Sequence, residues 1–146
     1  MSINDPIVIV SALRTPMGGF SGCLANVTAP ELGATAIKSV VAQAGLDSDQ
    51  VDEVIMGCVL PAGLKQAPAR QAAIAAELSL STVCTTINKV CGSGMKAAMQ
   101  AHDSLVAGSI EVAVAGGMES MSNAPYMLPK ARAGMRMGHG QVLDHM

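Results

Sequence analysis

Short apolar runs alternate along this chain with longer stretches of helical periodicity, and that order restricts the fold more than any other feature. Residues 7–12, 54–59, 84–87 and 112–115 are runs of Val, Ile, Ala, Met, Cys and Thr with scarcely a polar break. Without an apolar-polar alternation, such runs read as strands buried on both faces of a sheet covered by helices. Strand then helix, three times, and a closing strand predicts an α/β layered fold with a largely parallel, right-handed sheet. In that architecture functional groups gather at the carboxyl ends of strands and the amino ends of helices.

The helices carry their own punctuation. Thr28-Ala29-Pro30-Glu31 has capping-box spacing with proline in the first turn, followed by Leu32, Ala36, Ile37, Val40, Val41 and Ala44 on one face and Gly45 as terminator. Residues 66–78 are alanine-rich with an early Pro68. The third helix begins just after Cys91 and shows an apolar side of Met95, Ala98, Met99, Leu105 and Val106, with Gly108 as its stop. Residues 14–28 have the Gly, Ser, Pro and Asn content of a loop, in which Arg14 and Thr15 read as loop-bracing groups rather than ligand contacts.

Composition excludes several functions. With 9 basic and 11 acidic side chains the net charge is −2, so there is no electrostatic footprint for nucleic acid or an anionic membrane. No apolar stretch is long enough to cross a bilayer without interruption. Nothing before Ile7 has the charged start and apolar run of a secretory leader, which makes the cytoplasm, with reduced thiols, the expected compartment. Cys23, Cys58, Cys84 and Cys91 form no Cys-x-x-Cys pair and no zinc-like grouping with the three histidines, so no metal site is expected. One Phe, one Tyr, no Trp and 11 Met imply a core of aliphatic and thioether side chains.

Cys91 is the candidate catalytic residue. It lies in Asn88-Lys89-Val90-Cys91-Gly92-Ser93-Gly94-Met95, where a β-branched run turns into a helix. A thiol at such a junction faces unpaired amide N–H groups and the positive end of the helix dipole, both of which favour the thiolate. Gly92 and Gly94 keep bulk away from the sulfur. A helix end moves a thiol by less than about one pKa unit, so an efficient nucleophile here also requires a general base. His102 lies eleven residues along the same helix, about 16 Å away, and is not that base. His139 and His145 fall in a Gly- and Met-rich tail and read as mobile-loop residues.

The segment around Cys91 resembles the active-site cysteine motif of thiolases. Two further stretches agree: Val8-Ile9-Val10-Ser11-Ala12-Leu13-Arg14-Thr15-Pro16, and Ala115-Gly116-Gly117-Met118-Glu119-Ser120-Met121-Ser122. Within that family, Gly116 to Ser122 followed by Asn123-Ala124-Pro125-Tyr126 looks more like the acetoacetyl-CoA (biosynthetic) branch than the long-chain degradative one. The resemblance implies a thiolase-like layered fold, of which residues 1–119 are the incomplete amino-terminal half and residues 120–146 the beginning of a loop domain. It covers somewhat over a third of a typical member, and the family's Gly-His-Pro motif, Asn-Glu segment and second cysteine motif are not in this sequence.

By the same resemblance, Cys91 is acylated by acetyl-CoA and passes the acetyl group to the carbanion of a second acetyl-CoA, forming acetoacetyl-CoA, or runs the reverse thiolysis. Coenzyme A thioesters are then substrates, and no metal or other cofactor is needed. The expected partners are acetyl-CoA or acetoacetyl-CoA, the missing carboxyl-terminal part of the same protein, and further copies in a homodimer or homotetramer. The segment alone is expected not to turn over. Glu119 reads as a solvated carboxylate at a glycine-rich strand exit, and Lys130, Arg132 and Arg136 as surface charges. The alternatives are a degradative 3-ketoacyl-CoA thiolase, a related condensing enzyme, or a non-catalytic assembly module.

Overall fold

The segment Glu53–Gly57 (β1) is the strand on which the other elements are built. In the computed structural model, which describes residues 6–146, it is the central strand of a three-stranded sheet. It runs parallel to β2 (Val83–Ile87) on one side and to β3 (Ala113–Gly117) on the other. Four of its five residues are buried. Val54 and Met56 join one core cluster and Ile55 the other, as the two-residue period of a strand requires.

The first cluster lies under α1 (Ala29–Ala44) and α2 (Pro68–Ala75), and the second under α3 (Ser93–Val106). The result is a helix-sheet-helix layering with a parallel sheet, as the alternation predicts. At the start of α1 the Glu31 carboxylate accepts from both the N–H and the hydroxyl of Thr28, each at 2.7 Å, and these bonds hold Glu31 below the usual carboxylate range. Gly45 closes α1 at φ 70°, its N–H donating to the Ala42 carbonyl while the N–H of Leu46 donates to that of Val41. Among the described residues no helix is long and apolar enough to cross a membrane.

Three expectations are corrected in the fold. Residues 7–12 form no strand: the segment is irregular, and Ile9 is 88% exposed. It lines one side of a cavity of about 680 Å³ whose other walls include Ile37, Leu105 and Val114. Without a neighbouring strand in register, even a strongly apolar run has no ladder to join. The first five positions of the 1–119 unit, and with them most of the stretch read for a leader, lie outside the described residues.

The second correction concerns α3. Its buried residues are Ser93, Ala97 and Ala101, whereas Met95 is 74% exposed and Met99 and Val106 are also exposed. The small side chains face the sheet because the helix approaches it too closely for large ones. A Cβ built on Gly57 would meet the Ser93 carbonyl carbon and Cβ at 2.7 Å and the Gly94 nitrogen at 2.8 Å. Gly116 and Gly117 are roomier, since a Cβ on either would find its nearest atom at 3.5 Å.

At the opposite end of the sheet the Asp52 carboxylate accepts from the N–H groups of Glu111 (2.8 Å) and Val112 (2.9 Å), joining the entries of β1 and β3. The tail after β3 is more ordered than its composition suggests. It holds a two-stranded antiparallel ribbon, β4 (Tyr126–Met127) with β5 (Leu143–Asp144), and His145 Nε2 accepts from the Ala62 N–H at 3.2 Å. His145 is thus docked, which corrects its reading as a mobile-loop residue.

Two outcomes are expected. Gly57→Ala should destabilise the protein by about 1–3 kcal/mol in denaturant unfolding, because Ser93 must be displaced; an unchanged midpoint would refute the close approach. The Val112 N–H, and after it that of Glu111, holds the Asp52 carboxyl below its ordinary value of 3.8. A depressed folded-state pKa stabilises above the unfolded value and ceases to do so as the pH falls through the folded one. The stability gap between wild type and Asp52→Ala should therefore narrow below about pH 4, measured by urea unfolding across that range.

Candidate active site at the carboxyl edge of the sheet

The three strands end side by side, and the loops that leave them interlock through main-chain and side-chain hydrogen bonds. The Cys58 N–H donates to the Ile87 carbonyl (3.0 Å) and the Met118 N–H to the Gly57 carbonyl (2.9 Å), so the ladder extends one step past each strand end. Glu119 then turns back onto the loop leaving β1. Its carboxylate accepts from the Val59 N–H (2.8 Å) and the Leu60 N–H (3.0 Å). The reading of Glu119 as a solvated carboxylate is corrected: it is half-buried and holds two loops together.

Cys91 lies beside this junction and is exposed. It precedes Gly92, the N-cap of α3, by one residue, which puts it at the amino end of a helix, as its surroundings in the sequence predict. The turn that presents it is tight. Val90 has φ 49°, a left-handed conformation that β-branched residues rarely adopt. Ser93 clasps this turn from inside: its hydroxyl accepts from the Lys89 N–H (2.8 Å) and donates to the Val90 carbonyl (2.6 Å), and it is itself buried. Asn88 clasps it from outside, accepting from the Val90 N–H at 2.9 Å and donating to the Val59 carbonyl at 3.2 Å.

The other residues singled out in the sequence fall into place around this core. His102 is on α3, its Nδ1 3.7 Å from Asp103 Oδ1, and it lines the cavity next to residues 7–15. Arg14 donates to the Thr15 carbonyl at 3.1 Å, which agrees with a loop-bracing role. Lys130, Arg132, Arg136 and His139 are exposed. A Cβ on Gly92 would meet the Lys89 oxygen at 3.4 Å, an ordinary van der Waals contact. Among the described residues no group of three or more His, Cys, Asp and Glu side chains is placed to hold a metal ion.

Asn88 and Ser93 are the residues that reading the chain alone overlooked. Asn is a residue type that accepts from the amide two positions on in an Asx turn, and that much is visible in the sequence; the strain at Val90 is not. For Ser93 the sequence marks only a hydroxyl near the start of the helix; that it is buried against Gly57 is a matter of tertiary packing.

The four thiols separate by environment: Cys23 and Cys91 are exposed, Cys84 is half-buried and Cys58 is buried. Burial, reinforced by the negative charge of Glu119 and a 3.8 Å hydrogen bond to it, pushes the Cys58 thiol up to about 11. In the native protein iodoacetamide should therefore spare Cys58 at pH 8, and Glu119→Gln should move its labelling to lower pH. Peptide mapping of labelled sites against pH checks this; prompt Cys58 alkylation at pH 8 in the wild type contradicts it.

Comparison with known proteins agrees with this architecture. The family model described as "Thiolase, N-terminal domain" matches residues 7–146. An acetyl-CoA acetyltransferase of Pseudomonas aeruginosa is 54% identical over 140 residues, covering 96% of this chain and 36% of the relative. One from Escherichia coli is 56% identical over 139 residues, covering 94% and 35%. The crystal structure of Acat5 thiolase from Ascaris suum in complex with coenzyme A superposes with a TM-score of 0.87 at 41% identity, covering 92% of this chain and 35% of that one. The chain thus spans about a third of the length of the relatives it matches. From the parallel sheet, the cysteine turn at its carboxyl edge and these matches together, the chain belongs to the thiolase family and carries that family's amino-terminal domain.

Proposed function

We propose that this chain contributes the acyl-accepting nucleophile of an acetyl-CoA C-acetyltransferase, with Cys91 in that role. The observation that carries the reading is the presentation of Cys91: an exposed thiol, at the amino end of α3 and the carboxyl edge of the sheet, on a turn clasped from both sides. The Pseudomonas and Escherichia relatives, both named acetyl-CoA acetyltransferase, and the coenzyme A complex of the Ascaris enzyme support the choice of substrate.

The thiolate sulfur attacks the thioester carbonyl of acetyl-CoA and the carbonyl electrons move onto oxygen. The Cys91 N–H is a donor suited to that oxyanion. Collapse of the tetrahedral intermediate breaks the bond to the coenzyme A sulfur, which leaves with a proton, and the acetyl group remains on Cys91. A second acetyl-CoA loses a methyl proton to a general base, and its carbanion attacks the acetyl carbonyl. Acetoacetyl-CoA departs and the cysteine thiolate is restored. Run backwards, the same steps cleave acetoacetyl-CoA.

Neither half-reaction calls on a metal or a tightly bound cofactor, since coenzyme A is the carrier of the substrate. His102, about 16 Å along α3 from the cysteine, is not the base, and the carboxyl-terminal part found in the relatives is where that group and a second cysteine belong. Residues 120–146 are the start of the loop domain that covers the site, the working assembly is a homodimer or homotetramer, and the compartment is the cytoplasm.

Full-length protein quenched during turnover with acetyl-CoA should carry one acetyl group on the peptide containing Cys91. Cys91→Ala should lower acetoacetyl-CoA thiolysis by at least about a thousandfold, as removal of a covalent nucleophile does. An acetyl group bonded elsewhere, or a Cys91→Ala enzyme of normal rate, refutes the assignment. Slow and equal alkylation of all four cysteines points instead to an assembly module.

A further inference from the structure

We infer that Asn88 is a positioning residue for acyl transfer, acting through Val90 to hold Cys91 in its reactive placement. The inference rests on the proposed role of Cys91 and adds to it a residue that does not touch the substrate.

Val90 is β-branched and has φ 49°, where its side chain crowds the backbone. A strained residue persists only when its surroundings over-determine it. Burial does not supply that here, because Val90 is 65% exposed and gains little from packing. What remains is hydrogen bonding, which reaches Val90 from two sides.

On the carbonyl side, Ser93 donates to the Val90 oxygen through its hydroxyl (2.6 Å) and its N–H (3.1 Å). On the amide side, the Val90 N–H donates to Asn88 Oδ1 at 2.9 Å. Asn88 is anchored in turn by its Nδ2, which donates to the Val59 carbonyl at 3.2 Å. The loop carrying Val59 is fixed by Glu119, which accepts from the Val59 and Leu60 N–H groups. A continuous chain of hydrogen bonds thus runs from the exit of β3, through the loop after β1, to the residue before Cys91. Ser93 fixes the turn to the helix, and Asn88 fixes it to the other two strand exits.

Rotation of Val90 out of the left-handed region would swing the following peptide and carry Cys91 with it, away from the amino end of α3. Asn88 opposes that rotation. Its loss should reduce the fraction of molecules with the thiol in place without removing any contact to acetyl-CoA. The signature is a fall in kcat at constant KM.

The test measures single-turnover acetylation of Cys91, its alkylation by iodoacetamide, and steady-state kcat and KM in full-length protein. Asn88→Ala should slow acetylation and alkylation about tenfold, the rate equivalent of about 1.4 kcal/mol for one lost hydrogen bond, with KM for acetyl-CoA changed less than about twofold. Asn88→Ser keeps an oxygen for the Val90 N–H and should stay within about threefold of wild type. Val90→Gly removes the strain that Asn88 opposes, so adding it to Asn88→Ala should restore acetylation to within about threefold of the Val90→Gly protein. Wild-type rates in Asn88→Ala, or a cost undiminished by Val90→Gly, overturn the inference. If Asn88→Ala does not fold, Asn88→Leu, of similar size but with no acceptor for the Val90 N–H, decides: a tenfold loss that Val90→Gly relieves supports the role and a wild-type rate refutes it. Absence of acetyl-Cys91 in the wild type would instead refute the functional reading itself, so the two failures are distinguishable.

Discussion

The contact between the amino end of α3 and β1 at Gly57 is the constraint on which the rest of this structure depends. Without a side chain at Gly57 the helix comes down onto the strand, and Ser93, Ala97 and Ala101 line its buried face. Ser93, which bonds the Lys89 N–H and the Val90 carbonyl within its own turn, is the residue seated on Gly57, so the glycine in the central strand makes room for the cysteine turn. A larger residue at either contact would separate the layers and loosen the clasp.

Around that contact, the carboxyl edge of the sheet is built as a polar lattice on an apolar base. The sheet interior is held by Val54, Met56 and Ile55 packing to opposite faces, while the loops beyond it are joined by Glu119, Asn88 and Ser93. Nucleophilic chemistry in an α/β enzyme needs this division: a stiff support below, and above it backbone amides whose hydrogen bonds are not all committed to the ladder. An exposed thiol on a rigid turn is available to a ligand without being free to wander, whereas Cys58, buried beside a carboxylate one strand away, is kept protonated and inert. The same residue type thus has opposite exposure at two neighbouring positions, one open to water and one buried beside a carboxylate.

Much of this was legible in the chain itself. The capping box of Thr28 and Glu31, the termination of α1 at Gly45, the three paired strands and the position of Cys91 before α3 all follow from residues within a few positions of one another. The misreadings share a cause. Residues 7–12 have the composition of a buried strand but no neighbour in register, and the methionines of α3 have helical spacing but not the face that meets the sheet. Glu119 resembled a solvated side chain because the amides it binds, those of Val59 and Leu60, lie about sixty residues earlier.

By itself the amino-acid sequence determined the alternation of elements, their caps and the junction that bears Cys91, since these depend on backbone preferences and hydrogen bonds between near neighbours. Only the tertiary structure decided which side of α3 is buried, which glycine admits the close approach, that residues 7–12 stay unpaired, and that Asn88, Ser93 and Glu119 converge on the cysteine turn. Apart from the bonds that Ser93 and Asn88 make within the cysteine turn itself, these outcomes turn on distances between segments remote in the chain, and pairing and packing at such distances are settled when the layers come together.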